Sequence, residues 1–203
     1  MKKYELTEET VTVYGKTLYR IRAVRDFGSV KTGEFGGYIE KEENLSHFGN
    51  AWISGDAWVY GNARVFGNAW VYGEVQVAGN AWVYGNAKVY GDARVSGDAR
   101  VFDNAKVYGD ARVSGNARVY GNAEVFNTRH FFVQGPIGSR DGYVTFYRTK
   151  DDTIGVRCGC FSGSLQKFVD RVEETHGGSR YEKEYKIAAE LAKVCIRLEG
   201  ESR

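Results

Sequence analysis

A six-residue repeat runs without interruption from residue 49 to residue 126 and dominates the chain. Thirteen units follow the consensus Gly-[Asn/Asp]-Ala-x-Val-[Tyr/Phe/Ser], and every unit has an aliphatic residue at position five. Positions three and five lie on one side of a short strand, whereas positions four and six lie on the other side. The Gly-Asn or Gly-Asp pair suits a corner, because these residues tolerate left-handed backbone angles that others resist.

The repeat therefore predicts a triangular solenoid. Three hexads, each with one strand and one corner, close a coil of eighteen residues, and thirteen hexads build a little over four coils. Successive coils pair as parallel strands, which gives about 20 Å of solenoid. Ala and Val point inward, because only small and β-branched side chains fit so narrow an interior.

Units such as GNAWVY (67–72) and GDARVS (91–96) resemble the hexapeptide-repeat family of left-handed parallel β-helices. The lead-in at 20–53, with its DFG, GG-Tyr-Ile and Asn-Leu-Ser elements, extends the resemblance to uncharacterised bacterial and phage members that carry a transferase label. The resemblance covers about two-thirds of the chain. It implies a left-handed coil but says little about function, since this fold carries acyltransferases, carbonic anhydrases and structural proteins alike.

The sequence divides into three parts, which together predict a mainly β fold. Residues 1–48 are interpreted as an N-terminal β-hairpin cap and lead-in coil, which covers the open strand edges of the solenoid. Residues 49–126 form the left-handed β-helix, and residues 127–203 lose the period and form a small C-terminal α+β domain. Two amphipathic helices are predicted there, at 164–176 and 180–198, after three strand candidates. This last part resembles a module of phage and prophage proteins.

The charges are nearly balanced, with 28 basic and 26 acidic residues, so no overall field favours nucleic acid or an anionic membrane. No run of about 18 apolar residues is present, and the first residues, MKKYELTEET, lack the apolar segment of a secretory signal. Three cysteines are too few for a disulfide framework and favour a reducing compartment. We therefore expect a cytoplasmic protein of a bacterial host, without a membrane partner or sequence-specific binding to nucleic acid.

No set of residues predicts catalysis. An acyltransferase of this fold would need a histidine base, usually on a loop that leaves the coils, but the hexads contain neither a histidine nor an insertion. His47, His130 and His176 lie outside the repeat and are too far apart in sequence to predict a zinc site. We expect no catalytic residue, no metal and no cofactor, which favours a non-enzymatic protein.

Two short motifs have both a chemical and a structural interpretation. Cys158-Gly-Cys160 is compatible with metal or redox chemistry, but its place on an apolar strand favours buried thiols packed with Cys195. The segment 135–140, GPIGSR, could bind a phosphate through its backbone amides, with Arg140 beside it. It lacks the lysine and the spacing of a P-loop, so a simple hairpin loop is the favoured interpretation.

The outward positions differ from one face of the solenoid to the next. Position six is aromatic in nine of the thirteen hexads, whereas position four becomes basic in the second half of the repeat. Two faces carry aromatic columns, namely Tyr72, Tyr90, Tyr108 and Phe126 on one and Phe66, Tyr84, Phe102 and Tyr120 on the other. The third face has Tyr60, Ala78, Ser96 and Ser114. The basic residues are Lys88, Arg94, Arg100, Lys106, Arg112 and Arg118.

Guanidinium groups bind phosphates and aromatic rings stack on bases. The basic wall, which is the outward row of basic residues at position four together with the neighbouring aromatic columns, therefore predicts a small anionic, nucleotide-like ligand. The candidate ligand-binding residues are Arg94, Arg112, Arg100, Arg118, Tyr90, Tyr108 and Arg140. Arg94 and Arg112 lie one coil apart on the face with small residues, where another molecule can approach closely. The resemblance to phage proteins makes a nucleotide signal of host defence one concrete ligand. Two aromatic columns are more than a monomer normally exposes, so we expect a partner subunit or the C-terminal domain to cover one of them, and we expect a homo-oligomer, with a trimer preferred.

Other interpretations stay open. The aromatic columns, together with pairing between the basic wall and the corner residues Asp92, Asp98 and Asp110, could serve only to stabilise the solenoid. The family resemblance also allows a hexapeptide-repeat acyltransferase. A structural or virion-associated protein without a small ligand is the third possibility.

Overall fold

The computed structural model describes residues 2–198, and in it every hexad of the repeat forms one side of a triangular coil. Each side contains one short strand that begins at position four of its hexad. The strands are β4 (Trp52–Gly55), β5 (Trp58–Val59), β6 (Arg64–Val65), β7 (Trp70–Gly73), β8 (Gln76–Val77), β9 (Trp82–Val83), β10 (Lys88–Gly91), β11 (Arg94–Val95), β12 (Arg100–Val101), β13 (Lys106–Val107), β14 (Arg112–Val113), β15 (Arg118–Val119) and β16 (Glu124–Val125).

Parallel pairing between coils sorts these strands into three faces. Face 1 contains β5, β8, β11 and β14; face 2 contains β4, β7, β10, β13 and β16; face 3 contains β6, β9, β12 and β15. Each residue pairs with the residue eighteen positions later, as Val71 does with Val89 and Val89 with Val107. The predicted triangular parallel solenoid is therefore confirmed, and its left-handed sense stays a prediction.

The interior of the solenoid is made of the small side chains at positions three and five. The Ala or Val at position three and the Ile or Val at position five are fully buried in every hexad, from Ala51 and Ile53 to Ala123 and Val125. Because the coils superpose, each inward methyl or isopropyl group packs against the equivalent group of the next coil. The core is thus a continuous apolar column that leaves no room for a larger or charged side chain.

The corners require glycine for two separate reasons. All twelve glycines at position one have φ between +59° and +91°, a region that most side chains resist. Successive corners also stack closely, and a Cβ atom at Gly85 would lie 2.8 Å from the backbone N of Asp103. Asp103 itself takes position one with φ +58°, which an aspartate tolerates better than most residues.

Two kinds of side-chain ladder run along the outside. At the corner before face 2, the amide groups of Asn50, Asn68, Asn86 and Asn104 form a chain of hydrogen bonds, each 3.2 Å long. On faces 2 and 3 the aromatic rings at position six stack with centroids about one coil apart. The measured centroid distances are 5.0 Å for Tyr72–Tyr90, 4.8 Å for Tyr90–Tyr108, 4.8 Å for Phe66–Tyr84 and 4.9 Å for Tyr84–Phe102. The structural interpretation of the columns as stacked ladders is confirmed.

An N-terminal hairpin continues face 1 beyond the first coil, as the sequence predicts. Its strands are β1 (Tyr4–Val13) and β2 (Lys16–Ala23), which lead through β3 (Phe35–Ile39) to β5 in the order β1-β2-β3-β5. The lead-in packs Phe27 edge-on against the buried Trp52, with ring centroids 5.3 Å apart. These residues join the apolar column and close its first end.

The C-terminal domain is an antiparallel sheet with two helices. Its elements are β17 (Phe131–Ile137), β18 (Gly142–Arg148), β19 (Ile154–Cys158), β20 (Phe161–Ser164), α1 (Leu165–His176) and α2 (Arg180–Cys195). The sheet order is β17-β18-β19-β20, and Ser164 accepts a hydrogen bond from Lys167 N at the start of α1. The third predicted strand, residues 153–161, is β19 followed by a turn at Gly159, and β20 is a fourth strand that the sequence pattern does not predict. The predicted small α+β domain is confirmed.

Strand β18 belongs to two cores at once. Its alternate residues Val144 and Phe146 are fully buried against the helices. Tyr147 points the other way, joins the solenoid core and contacts the Tyr120 ring at a centroid distance of 5.6 Å. The two-residue period of a strand thereby attaches the domain to the last coil. In the described part of the chain, no helix has the length and apolar character needed to cross a membrane.

Replacing Val89 with Asp is expected to abolish cooperative folding. Val89 is fully buried in the apolar column, where a carboxylate has neither water nor a partner. Thermal melting followed by circular dichroism measures this. Lys88→Asp, at the adjacent exposed position, is the control and should change the free energy of unfolding by no more than about 0.5 kcal/mol. Equal melting temperatures for the two variants would contradict the solenoid core.

A second prediction separates the two reasons for glycine at the corners. Gly85 and Gly115 both have positive φ, but a Cβ at Gly115 meets no atom within 4 Å. Gly115→Ala should therefore cost about 1 kcal/mol of backbone strain. Gly85→Ala should lower the free energy of unfolding by about 1–3 kcal/mol more than Gly115→Ala, because its methyl group collides with the next corner. Urea denaturation measures both, and equal losses would refute the close stacking.

Candidate anion-binding site

A cleft of about 1130 Å³ lies between face 3 and the C-terminal domain. The solenoid forms one wall, with side chains from β12 and β15. The domain forms the opposite wall, with side chains from the β17–β18 loop, from β19 and from α1. Five arginines line the cleft, namely Arg100, Arg118, Arg140, Arg157 and Arg171.

Arg100 and Arg118 are adjacent because the repeat places them in register on neighbouring strands. Their backbones are therefore about 4.8 Å apart. The backbone N of Arg118 donates a hydrogen bond to Thr145 Oγ1 at 3.3 Å, which holds β18 against the last coil. On its other side, Arg100 stacks its guanidinium on the Trp82 ring, 4.9 Å from the centroid.

Arg157 enters the cleft because side chains alternate along β19. Val156 is fully buried in the core of the domain, so Arg157 points to the opposite side of the sheet. There its guanidinium lies 4.8 Å from the centre of the Tyr120 ring, at the end of the aromatic ladder on face 3. Its Nε atom is buried, and residues 2–198 supply no hydrogen-bond partner for it.

Helix α1 presents one face to the cleft through residues at helical spacing. Phe168, Arg171, Val172 and Thr175 follow the spacing i, i+3, i+4 and i+7 and all line the cleft. Arg171 forms an ion pair with Glu174 at 3.7 Å, but both side chains are about two-thirds exposed. Such an exposed pair contributes little, so Arg171 remains available to an anion.

The cleft carries a strong excess of positive charge. Asp98 is the one carboxylate among its lining residues, and it accepts a hydrogen bond from Asn80 Nδ2 at 3.0 Å. Within residues 2–198, no carboxylate lies within 4.0 Å of the guanidinium of Arg100, Arg118, Arg140 or Arg157. Like charges gathered in a concave site repel one another and raise the local concentration of anions.

Residues 135–137 of the segment 135–140 end strand β17, and residues 138–140 belong to the hairpin turn that positions Arg140. The Gly138 N–H donates to Glu184 Oε2 at 2.7 Å, so this amide is used within the domain. A Cβ at Gly138 would lie 1.9 Å from the Tyr185 hydroxyl oxygen, which packs the loop tightly on α2. These contacts support the hairpin interpretation over a phosphate loop made of free backbone amides.

Cysteine and tyrosine side chains form the floor beside the arginines. Burial raises the pKa of the Cys158 thiol, and a hydrogen bond with Tyr185 acts in the opposite direction. Burial also raises the pKa of Tyr185 to about 12, although the nearby Arg140 opposes the shift. Both groups are therefore neutral at physiological pH. The expectation of three buried thiols is wrong: Cys160 is exposed because it lies in the turn after β19, and Cys158 and Cys195 are only partly buried.

The structure brings three of the seven candidate ligand-binding residues together. Arg100, Arg118 and Arg140 line the cleft. Arg94 and Arg112 pair in register on face 1, where both are exposed and lie away from the cleft. Tyr90 and Tyr108 stack in the ladder of face 2.

The corner aspartates do not neutralise the basic wall. Among the described residues, no ion pair within 4.0 Å joins Asp92, Asp98 or Asp110 to a base of the repeat. The wall lysine Lys106 instead pairs with Glu124 at 2.7 Å, one coil further along face 2. The arginines of faces 1 and 3 thus keep their charge.

The three histidines lie in different surroundings. His47 stacks on Tyr4 with ring centroids 4.3 Å apart, and its Nε2 is 3.6 Å from Glu42 Oε2. His130 is buried and accepts a hydrogen bond from Phe126 N at 3.4 Å. His176 lines the cleft, where its ring lies 5.6 Å from that of Tyr185. Residues 2–198 contain no group of three or more His, Cys, Asp or Glu side chains placed to hold a metal ion.

Sequence reasoning missed Arg157 and Arg171. A signal for Arg157 was present, since an apolar face made by Ile154, Val156 and Cys158 puts Arg157 on the other side of the strand. No comparable signal marks Arg171, because its helix face becomes a cleft wall only when α1 stands opposite face 3. The distance between these elements is a property of the assembled fold.

Comparison with known protein families finds a match to the solenoid part of the chain. Segments 57–73, 87–101, 93–109, 105–121 and 111–127 match the family model described as the YdcK beta solenoid repeat. This supports a repeat of the β-solenoid type and covers the strands that carry Arg100 and Arg118. A search of curated proteins found no match.

Cys160 is expected to react with iodoacetamide faster than Cys158 near neutral pH. Cys160 is exposed, whereas Cys158 is half-buried and its raised pKa leaves less of the reactive thiolate. Peptide mass spectrometry over a time course measures both rates, and Cys160→Ser should remove the fast phase. Labelling of Cys158 at the same rate as Cys160 would contradict the described floor of the cleft.

Proposed function

We propose that this protein is a non-enzymatic binding protein that holds a nucleotide-like anion in the arginine cleft. The observation that carries the proposal is the convergence of five guanidinium groups from the solenoid and the C-terminal domain. Four of them have no carboxylate within 4.0 Å among residues 2–198. A site assembled in this way is stabilised when an anion enters.

The chemistry of the lining favours phosphate over a simple anion. A guanidinium group is planar and always charged, and it binds phosphate oxygens through two parallel hydrogen bonds. Arg100 and Arg118 are spaced by one coil, so together they can hold one phosphoryl group or two neighbouring ones. Tyr143 and Phe161 also line the cleft and offer aromatic surface to a base.

The cleft is large enough to hold a nucleotide. Small-molecule sites usually enclose roughly 300–1,000 Å³, and the cleft offers about 1130 Å³. Because the opposite walls belong to the solenoid and to the domain, a ligand would also join the two parts of the chain. Binding should then stabilise the protein by mass action.

The proposal keeps the biological setting that the resemblance implies. The resemblance of the repeat and its lead-in to hexapeptide-repeat proteins of bacteria and phages motivates the proposal of a cytoplasmic protein that sequesters a nucleotide signal of host defence. The long aromatic ladders of faces 2 and 3 support a homo-oligomer, with a trimer preferred, because such columns are extensive for the surface of a monomer.

Replacing Arg100 and Arg118 together with Ala is expected to weaken ATP binding at least about a hundredfold, because two charge-assisted hydrogen bonds are lost and each is worth roughly 1.5–3 kcal/mol. Isothermal titration calorimetry measures the dissociation constant. In the wild type, affinity should fall as ionic strength rises, since the contacts are between opposite charges.

The matched control is the pair Arg94→Ala with Arg112→Ala. It removes the same charge from the same strand position on face 1, away from the cleft. The control should bind ATP like the wild type, and both double variants should keep the melting temperature of the wild type. Equal weakening in the two pairs would show a general charge effect and would refute the cleft as the site.

A further inference from the structure

Face 3 continues past the cleft toward the N-terminus as a row of basic and aromatic side chains. Arg64, Trp82, Arg100 and Arg118 pair in register on β6, β9, β12 and β15. Three coil repeats separate the first from the last, a distance of about 14 Å. Arg100 belongs to both parts of the row, because it lines the cleft and stacks on Trp82.

A second cavity, of about 380 Å³, lies at the N-terminal end of this row. It is lined by Arg64 and Trp82 from the strands, and by Lys41 from the lead-in. Lys41 Nζ donates to Asn62 Oδ1 at 3.3 Å, which holds the lysine at the cavity. Glu43 is the one carboxylate in the lining, so cations outnumber it here as well.

Trp82 is built as a fixed aromatic platform between the two cavities. The Phe66 ring packs edge-on against it with centroids 5.9 Å apart, and the Arg100 guanidinium covers part of its surface. The side chain is half-buried, so its orientation is held while some surface stays accessible. Arg64 beside it is exposed, and no described carboxylate lies within 4.0 Å of its guanidinium.

We propose that face 3 binds a short single-stranded oligonucleotide, with one end in the cleft and a base against Trp82. This inference rests on the proposed function, because the terminal nucleotide occupies the arginine cleft. The phosphates follow Arg64, Arg100 and Arg118 along the row. Binding of this kind combines a basic groove with stacking on aromatic side chains, and it tolerates any base sequence.

Several features favour an oligonucleotide over a polyanion without bases. A ligand recognised by charge alone needs only the arginines, whereas here a tryptophan lies within the basic row. On faces 1 and 2, the equivalent position is occupied by Trp58 and Trp70. The next coil places Gln76 beside Trp58 and Lys88 beside Trp70, so neither tryptophan is followed by an arginine. The combination of a cavity, two flanking arginines and a braced indole therefore distinguishes face 3.

The test is fluorescence anisotropy with two thymidine probes, a dinucleotide and an octanucleotide, each with a fluorescein at its 3′ end. The wild-type protein should bind the octanucleotide at least about tenfold more tightly than the dinucleotide, because only the longer probe reaches Trp82. Trp82→Ala should remove most of that gain, measured as the ratio of octanucleotide to dinucleotide affinity in the same variant, because Trp82 also contacts the cleft residue Arg100. Trp82→Phe should restore most of the gain, and Trp70→Ala, the matched control on face 2, should have no effect.

The outcomes separate this inference from the proposed function. Equal affinities for the two probes, or equal effects of Trp82→Ala and Trp70→Ala, would overturn the oligonucleotide row and leave the cleft in place. Displacement of the octanucleotide by inorganic polyphosphate as readily as by unlabelled octanucleotide would also overturn it. If neither probe depends on Arg100 and Arg118, the proposed function itself fails. Circular dichroism melting confirms that each variant is folded.

Discussion

The exact superposition of each coil on the next, eighteen residues later, is the constraint on which the rest of the structure depends. It is possible only because the interior accepts Ala and Val at every level and because glycine corners allow close approach, as at Gly85. Once the coils superpose, every outward residue has the equivalent residue of the next coil about 4.8 Å away. The amide ladder, the two aromatic ladders and the arginine pairs all follow from this one geometric fact.

The same superposition has opposite energetic effects on different side chains. Neighbouring asparagines and aromatic rings attract each other, so columns such as Tyr72–Tyr90–Tyr108 add stability. Arginines in a column repel each other, and no carboxylate of the described chain lies within 4.0 Å of the Arg100 or Arg118 guanidinium to offset this. Folding is thus driven by the interior and the neutral ladders, while the charged columns carry an unfavourable interaction that an anion would relieve. Under the proposed function, position six of the hexad serves stability and position four serves binding.

The sequence was sufficient for the solenoid and insufficient for the site. Because the repeat fixes the register, the face of each residue could be predicted, including the adjacency of Arg94 with Arg112 and of Arg100 with Arg118. Choosing between those two pairs required the position of the C-terminal domain, which depends on the contacts of Thr145 and Tyr147 with the last coil. Hydrophobic periodicity describes each element separately and contains no information on which face an aperiodic domain will cover. Arg171 shows this most clearly, since its role depends wholly on that placement.

The attachment of β18 to the last coil limits how the repeat can change in length. The C-terminal domain contacts the solenoid through the side that ends with Tyr120, and each added hexad would turn that side by one-third of a rotation about the solenoid axis. A duplication of one or two hexads between Arg100 and Tyr120 would therefore carry the domain to another face relative to Arg100, whereas a duplication before Arg100 would turn Arg100, Arg118 and the domain together and move them off the column of Arg64 and Trp82. Only the gain or loss of a whole coil preserves every one of these angular relations. Repeat duplication that keeps both the cleft and the column of face 3 is accordingly restricted to steps of three hexads.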